Sequence, residues 1–554
     1  MNDKKVLPDA NSYDDLCAKF HWSIPERFNI AIDVCDRHAE DTSRIAMIYE
    51  DELGRISEHT FTEFRDKSNQ LANALRRLGI EREDRVAIVM SQRPETGVAH
   101  LGIYKLGAIA VPLATLFGPD ALEYRLRNAG VRVVITDVTS LDRLLQVRQL
   151  YPGLEHIISA DATDVSNIHD FSQLLQKESA HFEPVDTASE DPALLIFTSG
   201  TTGPPKGALH AHRIMLGRLP SMEFVHQGFP KPGDRFWTPA DWAWAGGLLD
   251  MLLPSWHYGV TVVAHRSLKF DAARAFDLMA RHQIRNVFLP ATVLKMMRLI
   301  ENPRQNWDVQ LRTIHTGGEA VSEDLIIWAK EALGATPHDA FGQTEAVMIV
   351  GNCIDLMPIK PGSLGRPIPG HEITLLTADG ELVTKAGEIG EIVLKRPVPA
   401  MFLRYWNHEE GTKDKFLGDW LLTGDLAFKD SDGYFWYVGR KDDMISSGAY
   451  RIGPGEIENC LCTHPAVALA VAVGSPDSIR GEVVKAFVEL RDGFAPNVEL
   501  AQELQTYVRK RLSAHEYPRE IEFYDRIPTT TTGKVIRKGL RELELQRKKA
   551  PNHL

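Results

Sequence analysis

The chain has 554 residues, 44% of them hydrophobic and 25% charged, with 63 Lys and Arg against 75 Asp and Glu for a net charge of −12. That length exceeds what one hydrophobic core usually serves, so two or more domains are expected. The acidic balance argues against a surface that tracks nucleic-acid phosphates, although local basic pockets stay compatible with it.

The N-terminus, MNDKKVLPDANSYDD, lacks the apolar core of a signal peptide, and its acids do not suit a transit peptide, so a cytoplasmic protein is expected. Short β-rich runs then alternate with helical-period segments: RVAIVM from Arg85, VRVVITD from Val131, HIISA from His156, ALLIF from Ala193, RNVFLP from Arg285 and LRTIHT from Leu311. TVLKMMRLIE and SEDLIIWAKEAL read as amphipathic helices, the second with Ser322 at its N-cap and acids in its first turn. This alternation predicts an α/β fold of stacked βαβ units with largely parallel sheets. The least polar stretch, residues 243–264, is interrupted by Asp250, Pro254 and His257, which argues against a membrane span.

From about residue 371 the pattern changes to short strands around a turn at Asp379 and Gly380, predicting a small antiparallel β-subdomain. After Arg440 a glycine-punctuated segment leads to strands at ALAVAV, VVKAFVEL and IEFYD, with the helix VELAQELQTYVRKRL between the last two. A compact C-terminal α+β domain is expected there. The cysteines, Cys17, Cys35, Cys353, Cys460 and Cys462, make no disulfide framework, and no second pair joins the last two to complete a zinc site.

One loop stands out, TSGTTGPPKG at residues 198–207, directly after the apolar run LLIF. Glycines free backbone N–H groups to face an anion, hydroxyls add donors and Lys206 adds charge, so the segment suits phosphate. It lacks the spacing of a Walker A loop. In chain order there follow DAFGQTE at 339–345, TGD at 423–425, RKDDMISSGAYR at 440–451 and PTTTTGK at 528–534.

Together these five motifs resemble the adenylate-forming superfamily, and YRIGPGEIENCLCTHPAVALAVAVGSPDSIRGEVVKAFVEL with TPADWAWAGGL is most similar to its medium-chain acyl-CoA synthetases. The resemblance implies an enzyme that joins a carboxylic acid to ATP, releases pyrophosphate and passes the acyl group from AMP to coenzyme A. It implies an N-terminal adenylation domain over residues 1–441 and a small mobile C-terminal domain over 442–554. Lys534 then bridges the carboxylate and the α-phosphate, where two anions must be brought together.

By the same resemblance Glu345 holds Mg²⁺, whose preference is for hard carboxylates, and Thr344 contacts the α-phosphate. ATP is held by Thr198, Ser199, Gly200, Thr201, Thr202, Gly203 and Lys206. Asp339, Ala340, Phe341, Gly342 and Gln343, with Gly317, Gly318 and Glu319, line the adenine, while Asp425 accepts the ribose hydroxyls beside Arg440. Asp442 is the hinge about which the C-terminal domain rotates, taking Lys534 out and bringing residues 447–451 in.

Coenzyme A contacts carried over by position are Gly448, Ala449, Tyr450, Arg480 and Arg519, with Arg451 a phosphate or substrate contact. For Arg480 and Arg519 a solvated surface role stands equally open. Ala449 departs from the family, which places glycine two residues before the motif's arginine; the added methyl narrows the pantetheine tunnel unless the backbone shifts. Acetate-specific relatives carry Trp where this chain has Gly342, which implies a longer, branched or aromatic acid, with Trp242 and Trp244 as pocket walls or core aromatics. Acetylation of Lys534 by a regulatory acetyltransferase, reversed by a deacetylase, is a further expectation because it removes the charge; a homo-oligomer is left open. An adenylating enzyme that loads a carrier protein, and a non-catalytic nucleotide-binding regulator, are the alternatives.

Overall fold

A computed structural model describes residues 5–198, 204–266, 270–318, 321–441, 443–447, 450–477, 481–512, 517–529 and 535–549. By internal contacts the chain divides into two units, Met1–Ile373 with Leu394–Leu421, and Thr374–Val393 with Leu422–Leu554.

The first unit holds two sheets, each with a parallel core. One of eight described strands runs in the order Arg404–Tyr405, Lys206–Ala211, Pro192–Thr198, Ile109–Pro112, Arg85–Val89, Val133–Thr136, His156–Ser159 and His169–Asp170. Six are parallel; Lys206–Ala211 and Arg404–Tyr405 add antiparallel at one edge. The other, of nine described strands, is ordered Arg366–Pro367, Val347–Gly351, Pro337–Gln343, Thr313–Gly317, Asn286–Phe288, Arg235–Trp237, Thr261–His265, Ile45–Glu50 and Ile56–Thr60. The apolar runs read from sequence are its central strands and those of the first sheet. Strands buried on both faces need such continuous hydrophobicity, and helices cover them.

Local signals explain the flanking helices. Thr60 caps Phe61–Arg77 by accepting from Glu63 N at 3.2 Å. Ser322 occupies the N-cap position of Glu323–Leu333 as expected, yet it makes no cap bond; its hydroxyl instead serves the Asp324 carboxylate. The apolar stretch after residue 243 breaks into Ala245–Gly247, a π-turn at Leu248–Leu252 and Leu253–His257. Among the described residues no helix is long and apolar enough to cross a membrane.

The second unit holds most of a small sheet that pairs Ile373–Leu376, Ile389–Lys395, Trp420–Lys429 and Phe435–Arg440 in that order. Its turn is the one expected: Gly380 has φ +82° and donates to Thr377 O at 3.0 Å. The C-terminal α+β part pairs Val467–Asp477 antiparallel with Gly481–Leu490, which runs parallel to Glu520–Tyr524. Helix Val498–Arg511 lies where it was read, while helices Pro454–Cys462 and Arg537–Lys549 add to the sequence reading. Lys485 anchors the second of these added helices through Glu544 and reaches Glu522 at 2.8 Å. None of the five cysteines forms a disulfide, and three of them, Cys35, Cys353 and Cys460, are buried.

Candidate active site

Strand Pro192–Thr198 runs alongside Ile109–Pro112 and returns as Lys206–Ala211, with Thr198 opposite Lys206. The Thr198 hydroxyl donates to Lys206 O at 3.3 Å, and Tyr124 OH donates to Pro205 O at 3.1 Å. The phosphate-type loop therefore springs from the carboxyl end of a parallel strand, where ligands collect in such folds. Ser199, Gly200, Thr201, Thr202 and Gly203 lie outside the described residues, as do Glu319, Asp442, Gly448, Ala449, Arg480 and Lys534.

The DAFGQTE segment forms the end of strand Pro337–Gln343 and the turn into Val347–Gly351. Gly342 is required by that turn, since a Cβ there would stand 1.7 Å from Val347 O. Lys415 Nζ donates to Gln343 Oε1 at 3.1 Å, and Phe402 N to Glu345 O at 2.8 Å. Glu345, only 7% exposed, accepts a short hydrogen bond from Tyr405 OH on its Oε1. A carboxylate of this kind is a hard oxygen ligand of the sort a divalent cation prefers. The opposite polarity is close by, with Lys206 Nζ 5.3 Å from the Tyr405 ring centroid.

Sequence reasoning missed Tyr405. It lies 60 residues from Glu345, in the edge strand Arg404–Tyr405, which pairs with Leu209 and Ala208 just after the phosphate-type loop. This phenol joins the edge strand of one sheet of the first unit to a turn of the other. An ammonium over the ring and a carboxylate at its hydroxyl can hold a polyphosphate together with its counter-ion.

Strand Thr313–Gly317 brings Gly317 opposite Ala340 and Thr316 opposite Asp339. A Cβ on Gly317 would lie 2.9 Å from Ala340 O, and Gly318 takes φ +91°, so bare backbone faces bare backbone here. Burial pushes the Asp339 carboxyl well up, against backbone N–H groups of Ala340 and Val321 that pull it down. Its Oδ2 has no hydrogen-bond partner among the described residues. Trp242 is fully buried in the core, its indole N–H without a hydrogen-bond partner among the described residues, whereas Trp244 is half-buried with Phe117 edge-on at 6.0 Å.

In the second unit Asp425 sits opposite Arg440 on paired strands. Arg440 Nη1 donates to Asp425 Oδ2 at 3.0 Å and Tyr437 OH to Oδ1 at 3.0 Å. Burial and the Asp425 charge push the Tyr437 phenol up, so it remains a donor. Gly424, at φ +78°, donates to Glu391 Oε1 at 2.8 Å, and the other Glu391 oxygen takes Lys441 Nζ at 2.9 Å. The carboxylate and its two donors are thus set rigidly, a geometry suited to accepting vicinal hydroxyls.

Tyr450 and Arg451 belong to strand Tyr450–Ile452, paired with Ile445–Ser447. Arg519 is exposed, with its guanidinium 5.2 Å from the Tyr517 ring centroid. Thr529 bridges Val535, and Ile536 N donates to Pro528 O at 3.0 Å, pairing the chain on both sides of the segment that contains Lys534. Beyond it Arg541 binds Asp443 at 2.8 Å and Arg537 binds Glu458, contacts that no local sequence signal announces. Among the described residues no group of three or more His, Cys, Asp or Glu side chains is placed to hold a metal ion.

The family model described as AMP-binding enzyme matches residues 35–406, and that of the AMP-binding enzyme C-terminal domain matches residues 456–534. The chain is 34% identical to the acetyl-coenzyme A synthetase of Bacillus subtilis (strain 168), over 98% of this chain and 97% of that one. It is 32% identical to the mitochondrial acyl-coenzyme A synthetase ACSM3 of Rattus norvegicus, over 97% and 94%. The solved structure of the anthranilate CoA ligase AuaEII in complex with anthranoyl-AMP superposes with a TM-score of 0.87 at 30% identity, covering 95% of this chain and 99% of that one.

Proposed function

The chain belongs to the AMP-binding enzyme family as an AMP-forming acyl-CoA synthetase, and on that premise we propose how its residues divide the work and which acid it takes. In the first half-reaction an acid carboxylate attacks the α-phosphate of ATP and pyrophosphate leaves; in the second the coenzyme A thiol displaces AMP from the acyl carbon. The observation that carries the reading is Tyr405 set between Glu345 and Lys206, at the mouth of the phosphate-type loop.

Lys206 and residues 198–203 grip the departing phosphates. Glu345 offers Oε2 to Mg²⁺, which would neutralise charge on the triphosphate. Thr344 donates to the α-phosphate. Gly317, Gly318 and Glu319 with Asp339 to Gln343 enclose the adenine, and Asp425 receives the ribose hydroxyls, held by Arg440 and Tyr437. Lys534 supplies the cation of the adenylation step. We place the pivot at Asp442, so that Gly448, Ala449, Tyr450, Arg451, Arg480 and Arg519 serve coenzyme A in the second half-reaction, and acetylation of Lys534 would silence the first.

The acid is longer than acetate. Gly342 presents no side chain, and the anthranilate CoA ligase, similar along nearly its whole length, is named for an aromatic acid. The acetyl-coenzyme A synthetase is the relative that speaks for the other outcome. A panel of acids from acetate upward, with pyrophosphate and acyl-CoA measured separately, tests the reading. Acid-dependent release of both products is expected, fastest with a medium-chain, branched or aromatic acid. Pyrophosphate without thioester in the presence of coenzyme A would contradict it and point to another acceptor.

A further inference from the structure

Neighbouring parallel strands of the nine-stranded sheet carry arginines at one level of their amino ends. Arg235 opens Arg235–Trp237, Arg285 stands just before Asn286–Phe288, and Arg312 just before Thr313–Gly317. Phe236 is paired with Asn286 and Asn286 with Thr313, so the three arginines form a row across the sheet. Backbone bonds run along that row, from Arg312 N to Arg285 O at 2.6 Å and from Arg285 N to Arg235 O at 3.0 Å. Adjacent strands lie about 4.8 Å apart, and like charges set side by side at that spacing destabilise the sheet unless something neutralises them.

Arg312 is neutralised. Its Nη2 binds Asp234 Oδ2 at 2.6 Å and its Nε binds Asp234 Oδ1 at 3.1 Å, a two-pronged ion pair. Arg235 spends Nη1 on a neutral carbonyl, His282 O, at 2.9 Å, and has no carboxylate partner among the described residues. The half-buried Arg285 side chain has neither a hydrogen-bond nor an ion-pair partner among the described residues.

Arg235 and Arg285 both line a surface cavity of about 900 Å³, large enough for a small organic molecule. Lys231, also in its lining, adds an exposed ammonium. Of the acids in the lining, Asp234 is spent on Arg312, and Asp308 is exposed and accepts from Gln310 Nε2 at 2.7 Å. Pro230, Val260 and Met279 contribute apolar wall. The cavity sits at the amino ends of the strands, whereas Gly317, in the candidate adenine wall, closes the carboxyl end of Thr313–Gly317, about 13 Å further along.

We propose that this cavity is a second ligand site, which takes a phosphate monoester with an organic body and holds the phosphate between Arg235 and Arg285. A dianion supplies the charge that these two guanidiniums lack, and their rigid forks of N–H donors match phosphate oxygens. Lys231 adds attraction from the solvent side, and the apolar wall receives the organic body. No residue of this cavity has a role in either half-reaction, so the site stands independently of the ligase reading.

Phenyl phosphate is the probe, titrated calorimetrically into the full-length enzyme with a non-hydrolysable ATP analogue saturating the nucleotide site. One equivalent should bind to wild type. Arg285→Gln should weaken binding by at least about tenfold, the scale of a hydrogen bond to a charged group, and Lys231→Gln by about threefold, the scale of an exposed ion pair. Acid-dependent pyrophosphate release should be unchanged in both. Phenol, which lacks the dianion, should not bind, and inorganic phosphate, which lacks the ring, should bind more weakly than the ester. No binding by wild type, or equal affinity in wild type and Arg285→Gln, would overturn the site; inorganic phosphate binding as tightly as phenyl phosphate would overturn the assignment of an organic body. If Arg285→Gln fails to fold, Lys231→Gln decides, since its side chain is exposed.

Discussion

Tyr405 donates its phenolic hydrogen to Glu345 across 60 residues of sequence, tying the edge of one parallel-core sheet to the turn that ends a strand of the other. That bond fixes one carboxylate oxygen and leaves the second for a cation. A hydrogen bond to a charged group contributes about 1.5–3 kcal/mol. Tyr405→Phe should therefore lower acid-dependent pyrophosphate release by roughly one to two orders of magnitude and raise the magnesium concentration needed for half-maximal rate. An unchanged magnesium requirement would show that Tyr405 does not position Glu345.

Lys534 is assigned to the first half-reaction alone. Replacing one preorganised donor costs about 3–4 kcal/mol, so Lys534→Ala should slow adenylation by about two to three orders of magnitude. Thioester formation from a supplied acyl-adenylate and coenzyme A should survive. Lys534→Gln, which mimics the acetylated side chain, should behave alike. Equal loss of both half-reactions would remove the division of labour between the phosphate-type loop and Lys534.

Gly342, proposed as a pocket feature, is a packing requirement. With Val347 O 1.7 Å from the place of its absent Cβ, Gly342→Ala must move backbone, at a cost of about 1–3 kcal/mol typical of overpacking. Its Tm should fall. Gly342→Trp should likewise fail to yield an efficient acetate enzyme unless the turn at residues 344–347 changes too. An alanine variant with unaltered Tm would contradict this.

Glu223 gives a pH dependence far from the site. It is fully buried, accepts from Val6 N at 2.6 Å, Leu7 N at 2.9 Å and Tyr258 OH, and burial still pushes its carboxyl up to about 7. A raised carboxyl stabilises the fold while protonated, so the contribution is complete below the ordinary carboxyl value of 4.5 and is lost as pH rises through about 7. The stability of wild type relative to Glu223→Gln should decline across that window. A difference that grows with pH would reverse the assignment.

Much of the fold was legible because strands of a parallel sheet are continuous apolar runs, as at residues 85, 133, 193 and 313, and because a turn such as Asp379–Gly380 carries its own chemistry. The residues proposed for the site were chosen through motif order, since each motif is local in sequence. Tyr405 and Tyr437 were not. Their significance lies in contacts made by sheet order and strand register, and nothing in the periodicity around RYWNHEE announces a partner elsewhere in the chain. Helix Arg537–Lys549 escaped for a related reason: its sequence is mostly charged, and its place is fixed by ion pairs to Asp443 and Glu458.

The most direct test of the whole account follows oxygen. With both carboxylate oxygens of the preferred acid labelled, attack on the α-phosphate carries one labelled oxygen into the acyl-adenylate bridge, and thiol attack on the acyl carbon leaves it in AMP. Mass spectrometry should find one labelled oxygen per AMP and one in the acyl-CoA carbonyl. Unlabelled AMP, or label in inorganic phosphate, would contradict an adenylate intermediate and with it the roles assigned to Lys534, Glu345 and the loop at Lys206.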